Sequence, residues 1–435
     1  MSVVARGVAI TAAGYAFPPA MILVTQILIA NGLGVEGRGE VGAAMAPLMF
    51  ALALLTLGLP ESLTHYVARG AGRLARTLGI SLAALVVAGL LGSMAILVLS
   101  TPLSGNNRPV ANLIGVASAA LIPALMTVAL RGVAYGSHKW WLVSAERTLG
   151  ASLQLATVAL LTFSGALTAF TATLILSVTT FVGAVVYLLS PSWWAALRSS
   201  GSRCEVHEPL PKLHTYAWHS WAGMAGGMVL MRLDQVVMTP LAGVDQLGIY
   251  VVAVNVVSVA LLFNMAVRDV MFAVESSDRD AARVGRAARI STLVTAFVGA
   301  ALAAASPWAI PALFGPGFAP ASPLVAILIL ATVLGNPGSV AGAALGARGR
   351  PGLRSLALAI GAAIYLLPMF LLISWLGALG AALAMFIATP IPAYLCIRWL
   401  HKYYGVPPSE FYRFRAADFR TISSIVVKAF RMRLS

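Results

Sequence analysis

The chain has 435 residues, of which 60% are hydrophobic and only 10% are charged. Apolar runs long enough to cross a hydrocarbon core of about 30 Å recur from end to end, which excludes a soluble globular fold. The 29 Lys and Arg against 14 Asp and Glu give a net charge of +15, which in a soluble chain would raise the question of a nucleic-acid partner.

Hydropathy predicts an all-α polytopic membrane protein with about twelve transmembrane helices. In chain order they are predicted at 8–31, 40–63, 78–100, 109–131, 143–164, 167–190, 215–239, 246–267, 290–313, 321–345, 355–376 and 378–400. The first apolar stretch continues into a full-length span, so we interpret it as a retained helix and not as a signal peptide. Pro18 and Pro19 remove backbone hydrogen bonds from this helix and predict a hinge, with a static kink as the alternative.

The basic residues follow the positive-inside rule. With the N-terminus inside, 26 of the 29 Lys and Arg fall at cytoplasmic ends and loops; Arg38 and Arg108 fall in opposite-side loops and Arg232 lies within a span. The charge therefore predicts an inner or plasma membrane protein with both termini cytoplasmic and with anionic lipid, not nucleic acid, as its partner. The tail at 401–435 alternates basic and aromatic residues and is predicted to rest on anionic headgroups, with docking of polysaccharide-assembly proteins as the alternative.

Several kinds of site have no sequence support. The loops are too short for a soluble catalytic domain and there is no GxxxxGK[ST] phosphate loop, so we expect neither an enzyme nor a cofactor. The single GxGxxG motif at 32–37 lies between two spans with no preceding strand. The loose group Cys204, His207, His214 and His219 matches no zinc spacing, and no disulfide with Cys396 is expected, so no metal site is predicted.

An internal repeat organises the chain into two halves. "LGVEGRGEVG" and "AGVDQLGIYV" align Gly34 with Gly243 and Gly39 with Gly248 at an offset of 209, and later matches pair Gly136 with Gly346 and "GAL" at 165–167 with "GAL" at 377–379. The domains are predicted as a six-helix bundle at 1–200, a linker at 201–214, a second six-helix bundle at 215–400 and the tail. Because six spans return each half to its starting side, the bundles have the same orientation and favour alternating access around a central cavity.

The segments "NGLGVEGRGEVGAAMAPLMFALALLTLGLPESLTHYVARG", "RLDQVVMTPLAGVDQLGIYVVAVNV" and "WLGALGAALAMFIATPI" carry a family resemblance. Their order and spacing resemble the polysaccharide and O-antigen flippases of the multidrug/oligosaccharidyl-lipid/polysaccharide exporter superfamily. The resemblance implies transport of a polyprenyl-diphosphate-linked oligosaccharide from the inner to the outer leaflet. A cation-coupled drug or metabolite antiporter of the same superfamily is the alternative, and a non-transporting scaffold is a third.

Two charges within a predicted span are the main candidates for a site. Arg232 and Asp234 lie two residues apart on one helix, where they face different ways, and a charge at mid-membrane costs at least about 2.5–3.5 kcal/mol. Arg232 is expected to bind the diphosphate or an acidic sugar, or else to snorkel to the interface. Asp234 is the candidate for coupling to a sodium or proton gradient.

Four further residues are candidates for the cavity. Glu61 and Arg131, at predicted cytoplasmic helix ends, are expected to receive a head group, with interfacial charges as the ordinary alternative. Gln26 and Asn31 add polar groups to the first helix.

The charge distribution generates a prediction of topology. Reporter fusions after residues 105 and 243 should lie outside, whereas fusions after 206 and 435 should lie inside. Alkaline phosphatase and fluorescent protein fusions measure the two sides separately. An external C-terminus would contradict the twelve-span topology.

Overall fold

The protein is all-helical throughout the part that the structure describes. A computed structural model describes residues 3–68, 74–190, 193, 210–277 and 281–413. The helices are α1 (Val3–Leu54), α2 (Leu59–Ala68), α3 (Leu74–Leu103), α4 (Arg108–Ser118), α5 (Leu121–Gly136), α6 (Trp140–Phe163), α7 (Ala169–Val182), α8 (Val185–Leu189), α9 (Leu210–Ala242), α10 (Val244–Ser277), α11 (Ala281–Phe314), α12 (Ala321–Ala347), α13 (Pro351–Leu376), α14 (Ala378–Ala388), α15 (Pro390–Tyr404) and α16 (Ser409–Tyr412), with a 3₁₀ turn at Pro316–Phe318.

The helices confirm a polytopic membrane protein. Within the described ranges, nine segments are long and apolar enough to span a membrane: Phe17–Leu54, Leu74–Leu103, Arg108–Gly136, Ala169–Leu189, Val244–Leu261, Arg283–Phe314, Ala321–Ala347, Pro351–Leu376 and Ala378–Tyr404. Every one of the twelve predicted spans overlaps an observed helix. The first two predicted spans share α1, and α6, which carries Glu146 and Arg147, is not among the nine segments.

Single glycines separate several of the helices. Gly34 interrupts α1 with φ 68° and ψ −168°, and Gly243 separates α9 from α10 with φ 91°. A residue with a Cβ rarely adopts a positive φ, so glycine allows the helix to break within one residue. The second predicted helix therefore begins near Val35 and not at residue 40. As a result, Arg38 lies on a helix and not in a loop, which corrects the position inferred from the sequence.

The positive-φ glycines confirm the internal repeat at the level of the backbone. Gly105 pairs with Gly315, and Gly165 pairs with Gly377, at offsets of 210 and 212, and all four have positive φ. Together with Gly34 and Gly243, they place the same break at three corresponding points of the two halves. The backbone conformation is therefore duplicated along with the sequence.

Local capping explains where several helices begin. The side chain of Asn107 accepts a hydrogen bond from the Val110 amide at 3.3 Å, and Thr168 forms a capping box with Thr171 at the start of α7. Proline occupies the first turn of α4, α13 and α15, where its missing N–H has no helical acceptor to lose.

Backbone contacts group the chain into two compact units. The first contains Met1–Met228, Arg232–Val251 and Leu313–Gly317, and the second contains Val229–Met231, Val252–Ala312 and Phe318–Ser435. The first thus includes the breaks at Gly34 and Gly243. The predicted division at 201–214 stays a prediction; α9 already begins at Leu210, and residues 201–209 lie outside the described ranges.

The second unit packs the start of the tail into its core. Val406 and Phe411 are fully buried in a cluster with residues of α11, α12, α13 and α15. The Arg289 guanidinium is also buried and donates to the Glu410 carboxylate at 3.0 Å. This first part of the tail is thus packed into protein and does not rest only on headgroups as the sequence suggested. Residues 414–435 lie outside the described part.

A neutral polar cluster joins α11 and α12 in the same unit. The Asn336 amide lies within 3.1–3.4 Å of the hydroxyl oxygens of Ser291, Thr292 and Thr295, and all four side chains are buried. Pro337 follows Asn336 inside the helix. In an apolar bundle such hydrogen bonds join helices because a polar group facing lipid has no partner.

Candidate functional site

The two helix breaks of the first unit meet at a glycine seam. We define the seam as 34–39 together with 243–248. Gly39 packs against the Val244 carbonyl, and Gly248 packs against the Val35 carbonyl. Because Val35 corresponds to Val244 and Gly39 to Gly248 in the repeat, each contact is the symmetry mate of the other. The seam is therefore a local pseudo-two-fold contact between duplicated backbones, which confirms the relation of Gly34 to Gly243 expected from the repeat.

No side chain larger than hydrogen fits at the centre of this seam. A Cβ at Gly39 would overlap the Val244 carbonyl, and a Cβ at Gly248 would overlap the Val35 carbonyl. At Gly42, one turn further on, a Cβ would lie 3.4 Å from the Leu247 side chain, which is ordinary contact. The close approach is thus confined to Gly39 and Gly248.

Two further breaks of the first unit surround the seam. The Asn31 side chain donates to the Leu313 carbonyl, and Gly315 lies beside the Asn31 side chain. Gly105, the repeat partner of Gly315, packs against the backbone of Thr239 and Pro240. Pro240 corresponds to Asn31 at the offset of 209. These loop contacts therefore follow the same duplication as the seam.

Gln26 supports a buried arginine beside the seam. The Arg38 Nη2 donates to the Gln26 Oε1 at 2.6 Å, and the two side chains are 3% and 9% exposed. This bond joins the parts of α1 before and after Gly34. The Arg38 Nε is buried and has no hydrogen-bond partner in the described part of the chain.

Asp234 makes the corresponding tie in the second half. The Tyr250 hydroxyl donates to one oxygen of the Asp234 carboxylate, and the backbone N–H of Gln235 donates to the other at 2.7 Å. Both Asp234 and Tyr250 are buried, and their bond joins α9 to α10 across the Gly243 break. In each half, a buried side-chain hydrogen bond therefore joins the helix before the glycine break to the helix after it, although the residues differ.

Arg131 belongs to a separate ion pair in the first unit. Its Nε and Nη2 donate to the two Glu146 carboxylate oxygens at 3.0 and 2.7 Å, and the Tyr187 hydroxyl donates to the same carboxylate at 3.1 Å. This bidentate geometry is the strong form of an arginine–carboxylate pair. It joins α5, α6 and α8 and occupies the Arg131 donors that the sequence suggested for a head group.

Glu61 and Arg232 lie away from these contacts. Glu61 is half-buried on α2, and its Oε2 lacks a hydrogen-bond partner among the described residues. Arg232 is exposed on α9, two residues from buried Asp234. The two neighbouring charges therefore face different surroundings, as their spacing on a helix predicts. Their roles in substrate handling stay predictions.

The hinge at Pro18 and Pro19 also stays a prediction. Helical geometry continues through both prolines, and Gly34 is the residue inside α1 with non-helical dihedral angles.

The structure adds three residues that the sequence analysis did not select. Arg38 was assigned to a loop, Glu146 was not considered as a partner of Arg131, and Tyr250 is an ordinary aromatic in its sequence context. The repeat contained a signal for the first of these. Gln26 aligns with Gln235 at the offset of 209, whereas Arg38 aligns with Leu247, so a charge in one half faces an apolar equivalent in the other.

Comparison with known proteins identifies the family. The sequence profile described as polysaccharide biosynthesis protein matches residues 4–274. The chain belongs to this family. No curated protein matches it in sequence.

Solved structures of transporters share the fold of this polysaccharide biosynthesis family member. The lipid II flippase MurJ in an inward closed conformation has a TM-score of 0.68 at 14% identity, covering 97% of this chain and 93% of that chain. An inward-facing MATE multidrug resistance transporter of the MOP superfamily has a TM-score of 0.64 at 14% identity, covering 89% and 97%. The MATE transporter DinF-BH in complex with R6G has a TM-score of 0.61 at 17% identity, covering 94% and 96%. At these identities the likeness establishes the fold alone.

The seam generates a prediction about Gly39. We expect Gly39→Val to hold the seam apart, because overpacking costs about 1–3 kcal/mol, which shifts a two-state equilibrium by about 5- to 150-fold. A cysteine replacing Val244, in a chain with Cys204 and Cys396 changed to serine, reports on the seam through its labelling by a maleimide in nanodiscs. Gly39→Val should increase the labelling rate.

Gly42→Ala is the matched control, because its Cβ has room. It should leave the labelling rate of the cysteine at 244 unchanged. Equal rates in the parent and in Gly39→Val would show that the seam does not depend on close packing at Gly39.

Proposed function

We propose that the protein is an alternating-access flippase. Its substrate is a polyprenyl-diphosphate-linked oligosaccharide, a precursor of cell-envelope polysaccharide, which it moves from the inner to the outer leaflet. The family match over 4–274 is the observation that carries this proposal. The fold shared with a lipid II flippase supports the same substrate class, because that protein also handles a lipid-linked glycan. The protein acts as a transporter and not as an enzyme.

The glycine seam supports the alternating-access part of the proposal. Its contacts run between backbone atoms of two duplicated breaks and bury no charged side chain at Gly39 or Gly248. Neither of these backbone contacts is an ion pair, so they separate and reform without breaking one. Its pseudo-symmetry lets the two duplicated helix pairs move apart about one axis. In this mechanism the seam closes the outer side and opens when the glycan is released.

Arg232 supplies an exposed cation for the anionic part of the substrate. Guanidinium donors match the spacing of phosphate oxygens and bind them in pairs. Arg131 is less suited to this task, because Glu146 already occupies its Nε and Nη2. Glu61, with a buried oxygen that lacks a partner in the described residues, is the remaining candidate on α2 for a polar sugar contact.

A cation-coupled drug antiporter is the second candidate, and the buried Asp234 carboxylate favours it. The fold does not separate the two functions, because MATE transporters share it. The surroundings of the acidic side chains help to distinguish a flippase from an antiporter. Glu146 is neutralised by Arg131, which leaves Asp234 and Glu61 as the candidate acids for a cation. A toxic-dye efflux assay in cells distinguishes the antiporter from a flippase.

The flippase proposal predicts a dependence on the charge of Arg232. Losing a charge-assisted contact of about 1.5 kcal/mol lowers binding about tenfold, so Arg232→Gln should reduce flipping by about that factor. Arg232→Lys should retain part of the activity, since the charge survives without the fork. The measurement is the appearance of lipid-linked glycan in the outer leaflet at matched protein level.

Arg108→Gln is the control for Arg232→Gln, because Arg108 is an exposed cation at the start of α4. It should leave flipping unchanged. Full activity of Arg232→Gln would leave snorkelling as the role of that charge.

Asp234 generates a prediction about coupling. If its carboxylate binds the coupling cation, Asp234→Asn should abolish the response of transport to a sodium or proton gradient. The asparagine should still accept from the Gln235 backbone N–H through its amide oxygen, and its N–H₂ should donate to the Tyr250 hydroxyl. Transport into proteoliposomes with and without each gradient measures this response. Asp245→Asn, which changes an exposed carboxylate of the seam, is the control. An unchanged gradient response in Asp234→Asn would remove Asp234 as the coupling group.

A further inference from the structure

One buried guanidinium of the first unit has no carboxylate partner among the residues that the structure describes. Arg38 is 3% exposed, its Nη2 donates to the neutral Gln26 amide, and its buried Nε has no partner in the described residues. The neighbouring carboxylates Glu36 and Glu40 lie on the same helix but form no ion pair with it in that part of the chain. A buried charge without a counter-charge is costly, so its presence needs an explanation.

Two other arginines of this chain have carboxylate partners. Arg131, which is partly buried, has the Glu146 carboxylate at 2.7 Å, and Arg289, which is fully buried, has the Glu410 carboxylate at 3.0 Å. In both cases the protein supplies its own anion. Among the described residues, the Arg38 site supplies an amide oxygen and no carboxylate, which leaves a positive charge and a donor for an anion from outside the chain.

The repeat shows that the fold does not require a cation at position 38. Leu247 occupies the equivalent position in the second half and is also fully buried. Both positions precede a seam glycine, because Arg38 is followed by Gly39 and Leu247 by Gly248, and these glycines make symmetry-related contacts. The same backbone arrangement therefore forms around an apolar side chain. Packing alone does not explain an arginine in the first half.

Arg38 is also placed to respond to the seam. It precedes Gly39, the residue that packs against the Val244 carbonyl, and lies four residues after Gly34. Moving Gly39 away from Val244 changes the surroundings of the next side chain in the helix. The guanidinium is buried in this structure, so a change at the seam next to it changes its access to an anion.

We propose that Arg38 and Gln26 form an oxyanion site that fills when the seam opens. The anion is a phosphate or diphosphate group, which the Arg38 Nε and a terminal nitrogen bind as a fork while the Gln26 amide N–H₂ adds a donor. This inference rests on the proposed function, in which the diphosphate of the lipid-linked glycan is the physiological occupant. Because the anion binds the open form better than the closed form, it shifts the seam toward the open form.

The experiment measures the seam directly and does not need transport. The reporter is Val244→Cys in a chain that also carries Cys204→Ser and Cys396→Ser, reconstituted in nanodiscs. The probes are a polyprenyl diphosphate in the lipid phase, inorganic pyrophosphate in solution and the neutral polyprenol. We expect polyprenyl diphosphate to increase the maleimide labelling rate and polyprenol to leave it unchanged. A response to pyrophosphate alone would overturn the lipid-linked occupant.

Two variants test the site. Arg38→Leu copies the second half, so it should fold like the parent but require at least about tenfold more polyprenyl diphosphate for the same labelling, the effect of losing one charge-assisted contact. Gln26→Glu gives Arg38 an internal carboxylate and should weaken the response in the same way while the guanidinium remains. If Arg38 has only a structural role, Gln26→Glu should leave the response intact. A parental response in either variant overturns the site.

Arg108→Leu and the flipping assay complete the test. Arg108→Leu removes an exposed cation predicted on the same side and should respond like the parent. A labelling response that requires Arg38, in a protein that flips no glycan, would support the oxyanion site and reject the proposed function. Normal flipping by a protein whose labelling response does not require Arg38 would support the proposed function and reject the oxyanion site.

Discussion

The structure depends on the absence of water from the hydrocarbon core, which requires every backbone break and every charge to find a partner inside the protein. The chain meets this requirement at its breaks with glycine. Gly34 and Gly243 each end one helix and begin the next within a single residue, so few backbone groups lose helical bonds. The absence of a side chain at Gly39 and Gly248 then lets the two breaks pack against each other's carbonyl oxygens. The close packing of the seam is therefore one way in which the backbone avoids unpaired polar groups in the hydrocarbon core.

The same constraint governs the buried polar side chains. Arg131 and Arg289 are each paired with a carboxylate. Asp234 accepts hydrogen bonds from a tyrosine hydroxyl and a backbone N–H, and the Asn336 amide is hydrogen-bonded to hydroxyl groups. These bonds join helices, which gives them a structural role whatever else they do. Arg38 differs because its charge has no carboxylate in the described residues. A polar group that the fold does not satisfy is a better indication of function than one that it does.

The sequence predicted the helices and the repeat because both depend on regular patterns. Apolar stretches of membrane length located all twelve predicted spans, and the offset of about 210 located the paired glycines. The exact positions of the helix breaks were predicted less well. A loop between 31 and 40 was expected from the polar and glycine-rich composition, whereas one glycine completes the break and the helix resumes at Val35. Hydropathy does not indicate how few residues a glycine needs to end one helix and begin another.

The site residues were predicted less well, because partners in space do not follow from order in sequence. Gln26, Asn31 and Asp234 were selected as polar groups in apolar spans, and their hydrogen bonds join helix segments of the first unit. Their partners Arg38 and Tyr250 were overlooked, the first because it was assigned to a loop and the second because tyrosine is common in spans. Arg131 was selected as a free cation, whereas Glu146, fifteen residues away in sequence, binds it on the next helix.

The duplication separates what the fold needs from what the function adds. Positions that keep the same glycine in both halves, such as Gly34 with Gly243 and Gly39 with Gly248, serve the shared backbone arrangement. Two charged positions near the seam differ between the halves: Arg38 corresponds to Leu247, and Asp234 corresponds to Thr25. One half therefore holds a buried cation and the other a buried anion around the same seam. The proposed binding of an anionic substrate and the proposed coupling to a cation gradient would use this asymmetry, which two identical halves would not provide.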